Sequence, residues 1–136
     1  MVALTEGRTT KSRELRYVNR QVAAAVKIHE GSLAALSAAG YATPGAVAAT
    51  LKKPGKARST VDNTAGAAGA KTIEIEYGCF QWANSAAGDL ITIADIGGTA
   101  YIVDDQTVAK TSAGATRSAA GEIIDVDAQG VWVKSA

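Results

Sequence analysis

The sequence predicts an all-β fold: a single-domain, jelly-roll-like sandwich or small barrel with an extended N-terminal arm. The first observation is the alternation of polar and apolar residues over 72–77, which is the period of a half-buried strand. The second is a series of Gly, Pro, Asn and Asp turn signals, spaced at roughly 8–12 residues. The third is that no strand–helix rhythm accompanies them, which argues against an α/β fold. A length of 136 residues fits one domain.

Residues 1–20 are predicted to form the arm, and residues 21–136 the body. Basic and polar residues dominate the arm, and apolar residues are sparse in it. Terminal segments of this kind are mobile unless another surface holds them. Within the arm, a short edge strand is expected at 15–18.

The Ala-rich region 22–51 is predicted to form strands and turns, because glycines and a proline divide it into pieces too short for stable helices. Strands are expected at 26–28 and 33–36, and a weaker strand at 46–51. The segment 52–56 holds a Pro-Gly pair and is expected to be a basic turn.

The second half of the chain carries the clearest strand, 72–77, whose Ile and Tyr side chains are expected to face the core and whose Glu side chains are expected to face water. A flexible loop over 62–69 precedes it. Further short strands are expected at 79–82, 90–94, 101–103 and around Val108, and a hairpin is expected to join 123–126 to 131–133.

Charge is distributed unevenly along the chain. Residues 1–60 hold ten basic and three acidic residues, a net charge of +7, whereas residues 61–136 hold four basic and ten acidic residues, a net charge of −6. Such asymmetry suits contact between the arm of one subunit and the body of another. It is equally compatible with ordinary solvated charges that intermix once the chain folds.

The single cysteine, Cys79, cannot form an intramolecular disulfide. The first residues contain no apolar run of signal-peptide length, and no stretch approaches the roughly 20 apolar residues of a membrane span. We therefore expect a protein that is made in the cytoplasm, stays soluble and has no membrane partner.

Catalysis is not expected. A Ser-His-Asp or Cys-His site would have to use the single histidine, His29, which is predicted to lie in a turn. The nucleophile-elbow pattern Gly-x-Ser-x-Gly is absent. Cys79 begins an alternating strand and is interpreted as a small buried apolar residue. An enzyme or a carbohydrate-binding module would need a concave pocket with convergent polar groups. No motif in the sequence indicates such a pocket.

No metal or cofactor site is expected either. One His and one Cys cannot build a structural zinc site. The segment 125–130 imitates the start of a calcium loop, but Gln129 replaces an acidic ligand, so a hairpin turn with Gly130 at positive φ is favoured. Asp104 and Asp105, together with Asp95, give only a weak signal for a surface cation. Phosphate-binding glycine motifs are absent.

Nucleic acid is an alternative partner. An arginine-rich arm can bind phosphates, and a small β-barrel can supply stacking aromatic residues. Two acidic residues, Glu6 and Glu14, interrupt the basic run, and a pI near 7.8 is low for a nucleic-acid binder. Docking of the arm on an acidic protein surface explains the same residues, so no nucleic acid is expected.

The order and spacing of several short motifs resemble the capsid cement (head decoration) proteins of tailed phages. The motifs cover most of residues 25–134: 27–33 leading to 40–42, 62–69, 78–84, 101–108, and 120–127 with 130–133. The resemblance implies a jelly-roll-like β fold, homo-oligomers on symmetry axes and no catalytic residues. It also implies attachment to the outer surface of the capsid in the virion, where the protein clamps neighbouring subunits of the major capsid protein. The strongly basic arm departs from the less charged start expected in that family.

The arm is therefore the predicted contact with the shell or with a neighbouring copy. The residues expected to carry this contact are Arg8, Lys11, Arg13, Arg16, Tyr17 and Arg20. An arm that orders on binding, or that adds a strand to a neighbour's sheet, can link subunits without covalent bonds. Copies of the chain are expected to form a dimer in preference to a trimer, since isologous pairing is the simplest closed arrangement.

Overall fold

A computed structural model describes residues 2–135 of the chain. Twelve strands account for nearly all of its regular structure, together with two single-turn 3₁₀ helices at Ala87–Asp89 and Ile93–Asp95. The strands are β1 Tyr17–Gln21, β2 Lys27–Ile28, β3 Leu33–Leu36, β4 Ala42–Pro44, β5 Lys52–Ala57, β6 Val61–Asp62, β7 Thr72–Glu76, β8 Cys79–Asn84, β9 Thr99–Ile102, β10 Thr107–Ala109, β11 Ala119–Asp127 and β12 Gly130–Lys134. The all-β prediction is confirmed.

The strands form two lobes. The first is a five-stranded sheet with the order β1-β7-β5-β3-β4, beside which β2 and β6 form a small two-stranded sheet. The second is a closed five-stranded barrel with the order β10-β8-β12-β11-β9, in which β9 pairs with β10 to complete the ring. The small barrel foreseen from the sequence is therefore present, and a sheet packs against it.

Each lobe has its own apolar core. The residues of the barrel core come from its strands and from Ile91: Trp82, Ile91, Ala100, Ile102, Val108, Ala120, Ile123, Val131 and Val133. The residues of the sheet core are Val22, Ile28, Ala34, Leu36, Ala42, Ala57, Ile73 and Ile75. Burial of these aliphatic side chains supplies the main favourable contribution to folding in a chain with few aromatic residues.

Leu33 joins the two lobes. It lies on β3 of the five-stranded sheet, yet its side chain is 1% exposed and packs in the barrel core. Its backbone N–H donates to the carbonyl of Asp105 at 2.7 Å, and its own carbonyl accepts from Gly45 at 2.9 Å. A Cβ on Gly45 would lie 3.0 Å from Leu33 and 3.1 Å from Ile102, so a glycine is needed for this close approach.

Two of the clearest sequence patterns formed as expected. Ile73 and Ile75 of β7 are buried in the sheet core. The last two strands form a hairpin in which Asp127 pairs with Gly130. The Asp127 carboxylate accepts hydrogen bonds from the backbone of Gln129 at 2.8 Å and of Gly130 at 3.1 Å. The partial calcium motif is thus a two-residue turn closed by an aspartate.

Segment 52–56 is strand β5, so its prediction as a basic turn was wrong. Pro54 lies where the register between β3 and β5 shifts, and such an irregularity tolerates a residue without an N–H. Gly55 is required because a Cβ there would lie 2.7 Å from both the Glu76 carbonyl and Ile75. The Pro-Gly pair therefore marks a bulge and a close strand approach.

The strands expected at 46–51 and 90–94 are absent from the described structure. Ser118 fixes the first segment, because its hydroxyl donates to Ala48 at 2.6 Å and accepts from Leu51 at 2.9 Å. Asn84 fixes the second by bonding both backbone groups of Ile91. In both cases a side chain satisfies the backbone polar groups that a strand would have paired with a neighbour.

Candidate functional site

The first part of the predicted arm is irregular and exposed. Residues 2–16 contain neither helix nor strand, and their side chains are exposed. Arg8, Lys11 and Arg13 make no ion pair or side-chain hydrogen bond to any other described residue. These three cations are therefore available to an external surface.

The second part of the predicted arm is built into the sheet. Strand β1 begins at Tyr17, two residues after the start of the expected edge strand, and pairs antiparallel with β7 over five residues. Arg16 precedes it, while Tyr17 and Arg20 are members of it. The structure thus brings Arg16, Tyr17 and Arg20 together on one sheet edge.

Cations and aromatic rings alternate along this edge. Two guanidinium groups contact the Tyr17 ring, with Arg16 at 5.0 Å and Arg58 at 4.2 Å from its centroid. Arg20 donates to the Tyr77 hydroxyl at 3.1 Å, and Lys53 lies 5.5 Å from the Tyr77 ring centroid. Such contacts hold long cationic side chains in place without neutralising their charge.

The Glu76 carboxylate lies among the cations of this sheet edge. It contacts Arg16 and Lys56, each at 3.2 Å, and the Glu76 side chain is 12% exposed. Burial alone would raise the pKa of Glu76, but hydrogen bonds from Lys56 and Arg16 outweigh it and hold that pKa below its ordinary value. The prediction that both Glu side chains of β7 face water was therefore wrong for Glu76.

The Glu76 cluster predicts an acid-sensitive contribution to stability. Because the carboxylate has a lower pKa in the folded chain than in the unfolded chain, its stabilisation is present above the unfolded pKa of about 4.3 and is lost as the pH falls through the folded pKa. We expect Glu76→Gln to flatten the decrease in the free energy of unfolding between neutral pH and the acid range, measured by urea titration. A pH dependence identical to that of the unchanged chain would contradict the ion-pair assignment.

A groove of about 670 Å³ separates this edge of the sheet from the barrel. Apolar and aromatic side chains form much of its lining, among them Leu15, Val18, Tyr77 and Phe80. The cations that line it are Arg16, Arg20, Lys53 and Lys134, against the two carboxylates Glu14 and Glu76. Its surface is therefore apolar in part and carries net positive charge.

The charge asymmetry of the chain is partly used within one subunit. Of the five ion pairs among residues 2–135, three join a base of the first half to an acid of the second half: Arg16–Glu76, Lys56–Glu76 and Arg58–Glu74. The two halves thus intermix on the sheet. The arm cations before Arg16 remain outside these pairs.

The other candidate groups do not assemble into a site. Cys79 is exposed at the start of β8, so its prediction as a buried residue was wrong: its neighbours Phe80 and Trp82 point inward and Cys79 points outward. Asp95 pairs with Lys110 at 3.5 Å, and Asp104 accepts from the backbone of Gln106 at 2.9 Å. Among residues 2–135, no three His, Cys, Asp or Glu side chains are placed to hold a metal ion.

Two features of the fold gave no signal in the sequence. Asn63 is 2% exposed and anchors the loop after β6, donating to Ala23 at 2.8 Å and to Ala67 at 3.0 Å. Four large aliphatic side chains near the second 3₁₀ helix are exposed: Leu90, Ile93, Ile96 and Ile124. We call these four residues the aliphatic patch. A pattern of residue types predicts neither the burial of an Asn nor the exposure of an Ile.

Comparisons of the chain with protein-family models, with curated proteins and with solved structures found no match. Across the described residues, no helix is long and apolar enough to cross a membrane.

Proposed function

We propose that this protein is a structural component of a tailed-phage virion that binds the outer capsid surface and clamps neighbouring major capsid protein subunits. The observation that carries the proposal is the exposed basic segment before β1, in which Arg8, Lys11 and Arg13 have no partner among the described residues. The motif resemblance to capsid cement proteins supports it. A cement role requires no catalytic group, cofactor or metal.

A clamp of this kind works by multivalency. A shell protein that is held at two or more points by a compact body and its arm remains bound even when each contact is weak. The arm cations provide long-range attraction to an acidic surface, and the body provides a surface whose shape is complementary to the shell. The protein is made in the host cytoplasm and meets the shell from outside.

Copies of the protein are proposed to associate, as a dimer in preference to a trimer. The aliphatic patch is a candidate contact for this association, because its four large aliphatic side chains are 42–74% exposed and would gain from burial against a second copy.

The experiment that tests the proposal is co-sedimentation of the purified protein with expanded, undecorated capsids, with double-stranded DNA as a parallel sample. Saturable binding to shells at a fixed ratio is expected, and the ratio separates dimeric from trimeric sites. Binding to DNA but not to shells would overturn the proposal and assign the arm to phosphate contact, with a steep dependence on salt.

Deletion of residues 2–13 should weaken capsid binding and leave the body folded. The structure sets this boundary, because a longer deletion that reaches Tyr17 would remove strand β1 and destabilise the sheet. Loss of three cations is expected to lower the affinity for shells by roughly tenfold or more at physiological salt. The matched control replaces Arg8, Lys11 and Arg13 by Gln in the full-length chain. Full occupancy by both variants would contradict a role for the arm.

A further inference from the structure

We infer that the open edge of β1 is a docking site for an extended, acidic segment of a partner protein. The inference concerns the edge itself. Only the assignment of the partner to the capsid shell rests on the proposed function.

The first step is the pattern of backbone groups on β1. The carbonyl of Arg16 accepts from Tyr77 at 2.8 Å, and Val22 donates to Lys71 at 2.9 Å, so even-numbered residues direct their backbone groups toward β7. Tyr17 and Asn19 therefore direct their N–H and C=O groups away from the sheet. No described residue pairs with these four groups, which form an unprotected strand edge.

The second step is the extent of the edge. Val22 forms a parallel bridge with Ala42, and Ala23 donates to Ala42 at 2.9 Å, so β4 covers the edge beyond Gln21. An added strand thus has room beside residues 15–20. It would pair with Tyr17 and Asn19 by the backbone hydrogen bonds of strand addition.

The third step is the chemistry opposite the added strand. Arg16, Val18 and Arg20 all contribute to the groove lining, and Lys53 stands nearby. The Arg16 guanidinium turns to Tyr17 and Glu76 on one face of the β1–β7 pair, whereas Val18 and Arg20 lie on the opposite face. Cross-strand neighbours of opposite charge are stabilising, and so are apolar pairs. A partner strand is therefore favoured if it carries acidic residues beside Arg16 and Arg20, because the groove lining holds four cations against two carboxylates.

Arg20 contributes most of the charge selectivity. Arg16 already contacts the Glu76 carboxylate at 3.2 Å, whereas Arg20 forms no ion pair with a described residue and contacts Tyr77 through its hydroxyl and its ring. The Arg20 guanidinium therefore keeps its full charge for a ligand.

A second copy of β1 is a poor occupant of the same edge. Two-fold pairing centred on Val18 would bring Arg16 and Arg20 of both copies, four cations, onto one short strand pair, where they repel one another. Pairing centred on Asn19 would bring Tyr17 opposite Gln21, where Ala42 already bridges the edge. The charge pattern thus disfavours self-pairing and favours an acidic partner.

The test uses a synthetic peptide, acetyl-Thr-Glu-Thr-Val-Thr-Glu-Thr-amide, and the full-length protein labelled with ¹⁵N. We expect saturable chemical-shift changes along β1 and slower hydrogen exchange of the Tyr17 and Asn19 amides. A control peptide with Lys in place of both Glu residues is expected to bind roughly tenfold more weakly. Equal binding of the two peptides, or shifts confined to another surface, would overturn the inference.

Two variants sharpen the test. Asn19→Pro removes an outward N–H without taking a hydrogen bond from the β1–β7 ladder, so it should abolish peptide binding while the protein stays folded. Arg20→Glu should reverse the preference between the two peptides. If Asn19→Pro instead dissociates a dimer and neither peptide binds, the edge holds a second copy and the inference fails.

The outcome for the capsid is separate. Peptide binding by a protein that does not bind shells would leave the edge as a docking site and overturn the proposed function. Shell binding by Asn19→Pro at full occupancy, with peptide binding abolished, would show that the shell is not the partner of this edge.

Discussion

Replacing Gly121 by Ala is expected to cost the protein roughly 3–5 kcal/mol of its free energy of unfolding, the sum of backbone strain and overpacking. Gly121 adopts φ +144° at an irregularity in the pairing of β11 with β9, in a region open almost only to glycine. A Cβ there would collide with the Lys134 carbonyl and would lie 3.1 Å from Val133. Both obstacles belong to β12, so the barrel wall itself would have to shift. Urea unfolding followed by tryptophan fluorescence measures the loss.

Gly114→Ala is the matched control. Gly114 also has positive φ, +71°, but a Cβ at this position would meet no atom within 4 Å. Only the cost of the left-handed conformation applies there, about 1–2 kcal/mol. If the two variants lose equal stability, the close contact at Gly121 has no energetic consequence and the strand packing described for the barrel is wrong.

Leu33→Ala is expected to have the second large effect, a loss of about 2–5 kcal/mol, because it leaves a cavity where the sheet meets the barrel. The two lobes should also unfold less cooperatively, since Leu33 is the side chain of the sheet that packs in the barrel core. Both tryptophans, Trp82 and Trp132, lie in barrel strands, so their fluorescence reports the barrel, whereas far-ultraviolet circular dichroism reports both lobes.

We expect the two signals to give one midpoint for the unchanged chain and two separate midpoints for Leu33→Ala. Leu36→Ala removes a side chain of the same type, 6% exposed, from the sheet core and leaves the junction intact. It should lower both midpoints together. Coincident midpoints in the Leu33 variant would show that other contacts, such as that of Ser118 with Ala48, are sufficient to couple the lobes.

Patterns that depend on local chemistry predicted the fold well. The alternation in 72–77 identified β7, because a strand with one buried face imposes period two on its own residues. The closing hairpin was predicted equally well, since Asp127 and Gly130, which form its turn, are only a few residues apart in the sequence. These elements required no knowledge of distant parts of the chain.

Elements whose conformation depends on residues distant in the sequence could not be predicted from local patterns. Pro54 and Gly55 carry the local signal of a turn, yet the close approach of Glu76 and Ile75 makes them part of a central strand. Residues 90–94 carry a strand pattern, yet Asn84 captures the backbone of Ile91 at 2.8 and 3.0 Å. In both places a tertiary contact outweighs local propensity.

The candidate site was predictable in composition but not in placement. The basic residues of the arm were identified from charge alone, but nothing in their spacing indicated that Arg16 would contact Glu76 or that Arg20 would contact Tyr77. Those contacts depend on the register of β1 against β7, in which Tyr17 lies opposite Glu76. Register is set by burial across the whole sheet and cannot be obtained from one strand.

The direct continuity of the arm with β1 has a mechanical consequence. Tension applied to residues 2–16 along the axis of β1 would act directly on the pairing of β1 with β7. The five residue pairs that join β1 to β7, from Tyr17–Glu76 to Gln21–Thr72, would then be loaded together in shear instead of being opened one after another. A strand loaded in shear resists pulling through all of its hydrogen bonds at once, so pulling along β1 meets more resistance than peeling the strand away from one end.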